Sequence, residues 1–204
     1  MAELVGIVNY GMGNIKSVWN ALDYIGEEAV ILNPDDDFES CSHLVLPGVG
    51  SFAKAMSNIS SSGLDGKIKK HVAEDKPLLG ICLGMQLLAS KGYEGGATKG
   101  LDLIKGEVRR MEVSLHLPHV GWNNLAVKNE HPILKDVKRD VDFYFVHSYE
   151  FAVTNPNDLI AVTDYEKEIA AVVASGIVAG AQFHPEKSQS NGLKILENFC
   201  EWGP

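Results

Sequence analysis

The sequence predicts an α/β fold: an open, mostly parallel, doubly wound sheet flanked by helices, with an antiparallel strand extension in the second half. Three observations carry this expectation. Short, wholly apolar runs alternate with stretches of helical period in the first half. In the second half, extended segments follow one another with only short turns between them. The length of 204 residues, 45% hydrophobic and 22% charged, suits one domain over residues 1–204. A chain of this size buries roughly 70% of its unfolded surface without help from disulfides or metals.

The elements follow in order. Leu4 to Val8 is all apolar and reads as a buried strand. Gly11-Met12-Gly13-Asn14 turns the chain, and Ile15, Val18, Trp19 and Leu22 then mark one face of a helix that Asn14 is placed to cap. Ala29 to Leu32 is a second strand, and Asp35-Asp36-Asp37 reads as a solvated loop. His43 to Leu46 is a third strand, closed by Pro47-Gly48-Val49-Gly50. A helix starts at Phe52, is interrupted at Ser60-Ser61-Ser62-Gly63, and resumes from Leu64 to Ala73. Pro77 to Ile81 is a fourth strand, followed directly by a helix from Leu83 to about Ser90. Extended segments are then expected at Gly106–Met111, His119–Val127, Asp142–Val153, Leu159–Tyr165, Glu168–Ala174 and Ile177–Phe183. Gly192 is read as closing a loop, with Leu193, Leu196, Phe199 and Cys200 as the apolar face of a last helix.

Eighteen basic against 27 acidic side chains give a formal charge of −9, a field that repels nucleic acid and anionic lipid. No apolar run approaches the roughly 18 residues of a membrane span. The Met1-Ala2-Glu3 start has no basic segment of the kind that opens a secretory leader. Cys41, Cys82 and Cys200 are odd in number and widely spaced, which argues against a disulfide framework and for a cytoplasmic location.

Gly80-Ile81-Cys82-Leu83-Gly84 has the shape Gly-x-Cys-x-Gly between a strand and a helix, the nucleophile-elbow pattern with Cys in place of Ser. Such a turn lifts a thiol to the end of a sheet and the start of a helix, where the dipole favours thiolate. The bland alternative is a buried structural cysteine. A nucleophile needs a base, and His184-Pro185-Glu186 supplies a candidate. Pro185 favours an extended His184, and alternation along an extended chain puts Glu186 on the side of the ring it would orient. The alternative is a loop histidine with a chance acidic neighbour. The Pro47–Gly50 loop and the Leu83 N–H can together receive an oxyanion, though such a loop alone is most often only a turn. Gln86, four residues after Cys82 on the same helix face, either reads a polar substrate group or is solvated.

Competing chemistries lack their residues. There is no Cys-x-x-Cys for a zinc deaminase, no Walker A sequence, and no third glycine to make a dinucleotide fingerprint of Gly11-x-Gly13. His119, His147 and His184 have no metal-ligand spacing, so no metal or cofactor is expected.

The Gly-x-Cys-x-Gly and His-Pro-Glu segments resemble those of the class I, triad-type glutamine amidotransferases, and the likeness spans nearly the whole chain. A narrower likeness rests on several segments found together. They are Val8–Asn14, Leu46–Phe52, Gly80–Gln86, His119–Asn123, Phe143–Tyr149 and Gln182–Lys187. This set is similar to the glutaminase subunits of imidazole glycerol phosphate synthases, enzymes of histidine biosynthesis. The resemblance implies Cys82 as nucleophile, His184 as acid and base, and Glu186 as its orienter. It implies Val49, Gly50 and Leu83 at the oxyanion hole, and Gln86, Glu94, His147, Ser148 and Tyr149 as the residues that hold glutamine. It further implies a heterodimer with a (β/α)₈ cyclase subunit that receives ammonia through a channel, with Asn14, Trp122 and Lys187 facing that partner. The alternatives are another triad amidotransferase, a γ-glutamyl hydrolase, or a catalytically silent binding module. Silent relatives usually lack one of the three triad residues, all of which are present here.

Overall fold

The computed structural model describes residues 4–138 and 141–203. The first half builds strands β1 (Leu4–Val8), β2 (Glu28–Leu32), β3 (His43–Leu46) and β4 (Leu78–Ile81). Between and after them come helices α1 (Ile15–Ile25), α2 (Phe52–Ser61), α3 (Leu64–Ala73) and α4 (Leu83–Leu87). The second half adds β5 (Lys91–Gly92), β6 (Thr98–Lys99), β7 (Gly106–Arg110), β8 (His119–Asn124), β9 (Ala126–Val127), β10 (Asp142–His147) and β11 (Tyr149–Val153). It closes with β12 (Leu159–Asp164), β13 (Glu168–Ser175), β14 (Val178–Ala181) and helix α5 (Gln189–Cys200).

The main sheet runs β2-β1-β3-β4-β14-β13-β12-β9. Its first five strands are parallel, and β13, β12 and β9 extend it antiparallel. This is the architecture the sequence predicts. Strands covered on both faces are buried at every position, as β3 and β4 are, and apolar apart from His43, because alternate side chains meet different helix layers. Leu44, Leu46 and Leu78 pack with α2, α3 and α4, whereas Val45, Leu79 and Ile81 pack with α1 and α5. Two smaller sheets, β10-β8 and β11-β7-β5-β6, stand beside the main one. No helix among the described residues is long and apolar enough to cross a membrane.

Several expectations change on contact with the tertiary structure. Asn14 occupies the N-cap position of α1 but makes no capping bond. Its Oδ1 accepts from Ser17 Oγ at 2.7 Å and its Nδ2 donates toward Glu186 Oε1 at 3.5 Å. α4 ends at Leu87, short of Ser90, because the carbonyls of Leu87, Leu88 and Ala89 are taken by the amides of Leu101, Asp102, Leu103 and Ile104 in the returning chain. The stretch 119–127 breaks at Leu125, and 142–153 breaks at Ser148, where the chain passes from one small sheet to another. The two-residue strands β5 and β6 carry too little pattern to be read from sequence.

Gly192 lies inside α5 and closes no loop. A Cβ there would sit 1.9 Å from the carbonyl oxygen of Pro185, so the helix approaches the 185–187 turn as only glycine permits. Gly66, inside α3, has nothing within 4 Å of its would-be Cβ. Gly192→Ala is expected to cost about 1–3 kcal/mol as an overpacking change, and Gly66→Ala to add about 0.5–1 kcal/mol of helix propensity. Urea unfolding of the two variants, with midpoints moving in opposite directions, checks both.

Candidate active site

β4 runs directly into Cys82, which sits at φ 54° and ψ −110°, a conformation costly for a residue with a Cβ. The flanking glycines make it feasible. A Cβ on Gly84 would lie 1.7 Å from the carbonyl oxygen of Leu46, and one on Gly80 would lie 2.6 Å from the carbonyl oxygen of Gly84. The amide of Cys82 donates to the carbonyl of Ala181 at 2.7 Å, which ties the elbow to the neighbouring strand. That strand, β14, lies parallel to β4 with Ala181 opposite Ile81. Gln182 therefore arrives beside Cys82, and His184 two residues beyond it. Phe183, between them, is buried in the core on the α5 side.

His184 Nδ1 and Glu186 Oε1 are 2.8 Å apart, with both side chains about 1% exposed. A carboxylate only accepts, so Nδ1 carries the hydrogen and Nε2 is left for proton exchange. Glu186 does not reach the ring by strand alternation. Residues Pro185–Lys187 form a 3₁₀ turn, with the amide of Lys187 donating to the His184 carbonyl at 3.0 Å and Ser188 Oγ donating to it at 2.7 Å. The expected pairing therefore arises through a turn that folds the carboxylate back, while Pro185 keeps His184 itself extended.

His184 Nε2 is buried, and with Nδ1 taken by Glu186 it is the ring nitrogen left to interact with Cys82. Burial alone pushes the imidazole pKa down, but the interactions with Cys82 and then Glu186 outweigh it and raise the pKa to about 9. His147 is the opposite case: burial is the main cause of a pKa lowered to about 4. At neutral pH the site thus holds one charged and one neutral imidazole. By linkage, the stabilisation from charged His184 is fully present below about pH 6.5 and lost as pH rises through about 9.

Cys82 and His184 open onto one cavity of about 290 Å³, at the small end of the range for organic ligands. Val49, Gly50 and Leu83 line one side of it. Leu83 is the first residue of α4, so its N–H has no partner within the helix. Gln86, Glu94, His147, Ser148 and Tyr149 line the rest, with Pro118 and Val146. Glu94 Oε2 accepts from the amide of Phe52 at 2.7 Å, which anchors it at the start of α2. Gln86 is buried, so the solvated alternative does not hold. Its Nε2 donates to the Gln182 Oε1 at 2.9 Å and to the Tyr149 carbonyl at 3.3 Å. His147 Nδ1 donates to the same carbonyl at 2.9 Å, and its Nε2 accepts from His119 Nδ1 at 3.1 Å.

Of the three residues expected to face a partner, Trp122 is 48% exposed and Lys187 is exposed, its Nζ 5.7 Å from the ring centre of Tyr144. Asn14 is half-buried and reaches inward to Glu186. Sequence reasoning missed Gln182 and His119. Gln182 was findable, since it stands two residues before His184 on an extended chain. No local signal ties His119 to His147, which it meets only through the pairing of β8 with β10. Among the described residues no cluster of three or more His, Cys, Asp or Glu side chains could hold a metal ion.

The family described as glutamine amidotransferase class I matches residues 6–202. The chain belongs to the class I glutamine amidotransferases. It is 46% identical to the imidazole glycerol phosphate synthase subunit HisH of Caldanaerobacter subterraneus subsp. tengcongensis, over 97% of this chain and 98% of that one. It is 43% identical to a subunit of the same name, HisH 2, from Nitrobacter winogradskyi, over 98% and 99%. Among solved structures it is similar to PurLQS from Thermotoga maritima, with a TM-score of 0.77 at 17% identity, covering 98% of this chain and 99% of that one. A glutamine amidotransferase crystal structure gives the same TM-score at 20% identity, covering 97% of both chains. Likeness at those identities establishes the fold of this amidotransferase.

Histidine NMR across a pH series is expected to show His184 titrating near 9 and His147 near 4. Cys82→Ala should move the His184 midpoint down, because Cys82 is the leading cause that raises it. A His184 midpoint unmoved by that change would show that Glu186 alone holds the charge.

Proposed function

We infer that this chain is the glutaminase subunit of an imidazole glycerol phosphate synthase. The observation that carries the chemistry is one small cavity shared by the Cys82 thiol and His184, with the imidazole held at 2.8 Å by Glu186. Near-full-length identity of 43–46% to proteins named as HisH subunits supports the synthase.

In this reading the proton that pairs Cys82 with His184 already rests on the charged imidazole at Nε2, and the Cys82 thiolate attacks the side-chain amide carbon of glutamine. The Leu83 N–H and the Val49–Gly50 backbone receive the negative charge that forms on oxygen. His184 returns the proton to nitrogen, ammonia leaves, and a glutamyl thioester remains. Water then gives a proton to the same Nε2, attacks the thioester, and releases glutamate and the thiol. Glu186 orients the ring and stabilises its charged form throughout. Gln86, Glu94 and the His147–Tyr149 segment hold the amino acid. Ammonia passes to a (β/α)₈ cyclase subunit in a heterodimer, where it serves formation of imidazole glycerol phosphate and aminoimidazole carboxamide ribonucleotide. Asn14, Trp122 and Lys187 face the partner in this reading, with Trp122 and Lys187 exposed and Asn14 half-buried. A reducing cytoplasm suits a chain whose three cysteines are odd in number and widely spaced.

The test is glutamate release from glutamine, with and without a cyclase subunit and its nucleotide ligand. Activity that rises with partner and ligand is the expected result, and activity indifferent to both would keep the triad and discard the synthase. Cys82→Ala and His184→Ala should each lower kcat by about 10⁴-fold or more, and Glu186→Ala by less, as the orienting member of a triad does. Unchanged turnover in Cys82→Ala would overturn the mechanism.

A further inference from the structure

The triad leaves one buried amide without a role. Gln182 follows β14 directly, is completely buried, and stands level with Cys82 because Ala181 pairs with Ile81 in the parallel ladder. Its Nε2 donates to Cys82 Sγ at 3.8 Å, and its Oε1 accepts from Gln86 Nε2 at 2.9 Å.

The direction of this chain of bonds is set by a group that cannot reverse. The Tyr149 carbonyl only accepts, so the Gln86 amide must turn its nitrogen toward it. The second hydrogen on that nitrogen goes to Gln182 Oε1. Both Gln86 hydrogens are then used, and its oxygen is what remains for the cavity that Gln86 lines. Gln182 in turn has its oxygen occupied and its N–H left for sulfur. Gln182 is not among the residues that line the cavity, yet its amide reaches the reacting sulfur. The thiol's own hydrogen has a separate acceptor, the Val146 carbonyl at 3.9 Å, so the neutral thiol and the thiolate each find a partner in place.

We propose that Gln182 serves glutamine hydrolysis with both ends of its amide: the N–H supports the Cys82 thiolate, and the carbonyl locks Gln86 with its oxygen toward an N–H donor of the substrate. This rests on the hydrolase reading above. A hydrogen bond to an ionised acceptor is stronger than one to a neutral acceptor, so the N–H gains most when the sulfur becomes charged. A Gln86 amide free to flip would at times present N–H to N–H, which weakens substrate binding without touching the triad.

The experiment uses the full chain in complex with a cyclase subunit and its nucleotide ligand. Two readouts are taken: the kcat and KM for glutamine, and the rate at which methyl methanethiosulfonate modifies Cys82 at pH 7, followed on the Cys82 peptide by mass. This reagent has no carboxamide, so it reports the sulfur and not Gln86. Gln182→Met removes both ends of the amide at similar length. It is expected to slow the modification about tenfold and raise KM about tenfold, the worth of a hydrogen bond to a charged or a buried polar group. Gln86→Met should raise KM while leaving the modification rate within about twofold, because the Gln182 N–H stays on sulfur. Gln182→Glu keeps an acceptor for Gln86 and loses the amide donor. It should slow the modification with KM within about threefold, and it decides the matter if Gln182→Met does not fold. A folded Gln182 variant that is modified at the wild-type rate overturns the thiolate role, and one with unchanged KM in Gln182→Met overturns the lock. If Cys82→Ala remains active, the hydrolase reading itself fails; if Cys82→Ala is inactive and the Gln182 variants match wild type, only this inference fails.

Discussion

Cys82 can hold its strained backbone only because Gly84 presses against the carbonyl of Leu46 where no methyl group fits. That contact joins the end of β3 to the turn after β4, and the bond from the Cys82 amide to the Ala181 carbonyl joins the same turn to the end of β14. Three neighbouring parallel strands therefore finish at one place. β3 delivers the Pro47–Gly50 loop, β4 the thiol, and β14 Gln182 and His184. In an open α/β sheet ligands gather at the carboxyl ends of the strands, and here the whole reactive group is assembled there. A strained residue of this kind costs on the order of 1–3 kcal/mol, which the apolar layers on both sheet faces must offset.

The polar residues around the thiol would be expensive to bury singly, and their arrangement meets that cost by pairing. His147 is almost fully buried, and its lowered pKa keeps it neutral at physiological pH. It can therefore donate from one nitrogen to the Tyr149 carbonyl and accept on the other from His119. The same carbonyl orients Gln86, and through it Gln182. One backbone oxygen thus fixes the direction of four side chains. His184 contrasts with this: its Nδ1 is anchored on Glu186 while Nε2 is left to interact with Cys82. A buried charged imidazole is tolerable where Cys82 and Glu186 favour the charge and its proton is to be given up and taken back.

The second wall of the cavity comes from outside the main sheet. Ser148 is where the chain leaves the β10-β8 ribbon and enters the sheet containing β11 and β7. Its carbonyl accepts from the amide of Met111 at 3.0 Å, which holds the segment in place where it lines the cavity. Asn14 adds a link from the start of α1 to Glu186, so the loop before α1 and the orienting carboxylate are in contact.

The first-half elements were legible in the sequence because buried parallel strands are continuous apolar runs, and Gly-x-Cys-x-Gly is a local requirement of a turn too tight for side chains. The Cys82, His184 and Glu186 set was likewise readable, since each lies in a short motif. What failed were statements about partners. Asn14 looked like a helix cap until Glu186 and Ser17 offered its amide other bonds. Gly192 looked like a loop residue because glycine favours loops, but it is in a helix pressed against Pro185. Gln86 read equally as solvated or functional, and burial against Gln182 and Tyr149 removed the solvated reading. His119 lay in a family-like segment, but nothing local tied it to His147. By itself the sequence determined the strands and helices of the first half, the tight turn at Cys82 and the family, because these depend on neighbours along the chain. The tertiary structure decided which way Gln86, Gln182 and His119 face, because their hydrogen-bond directions depend on groups 28 to 100 residues away in sequence.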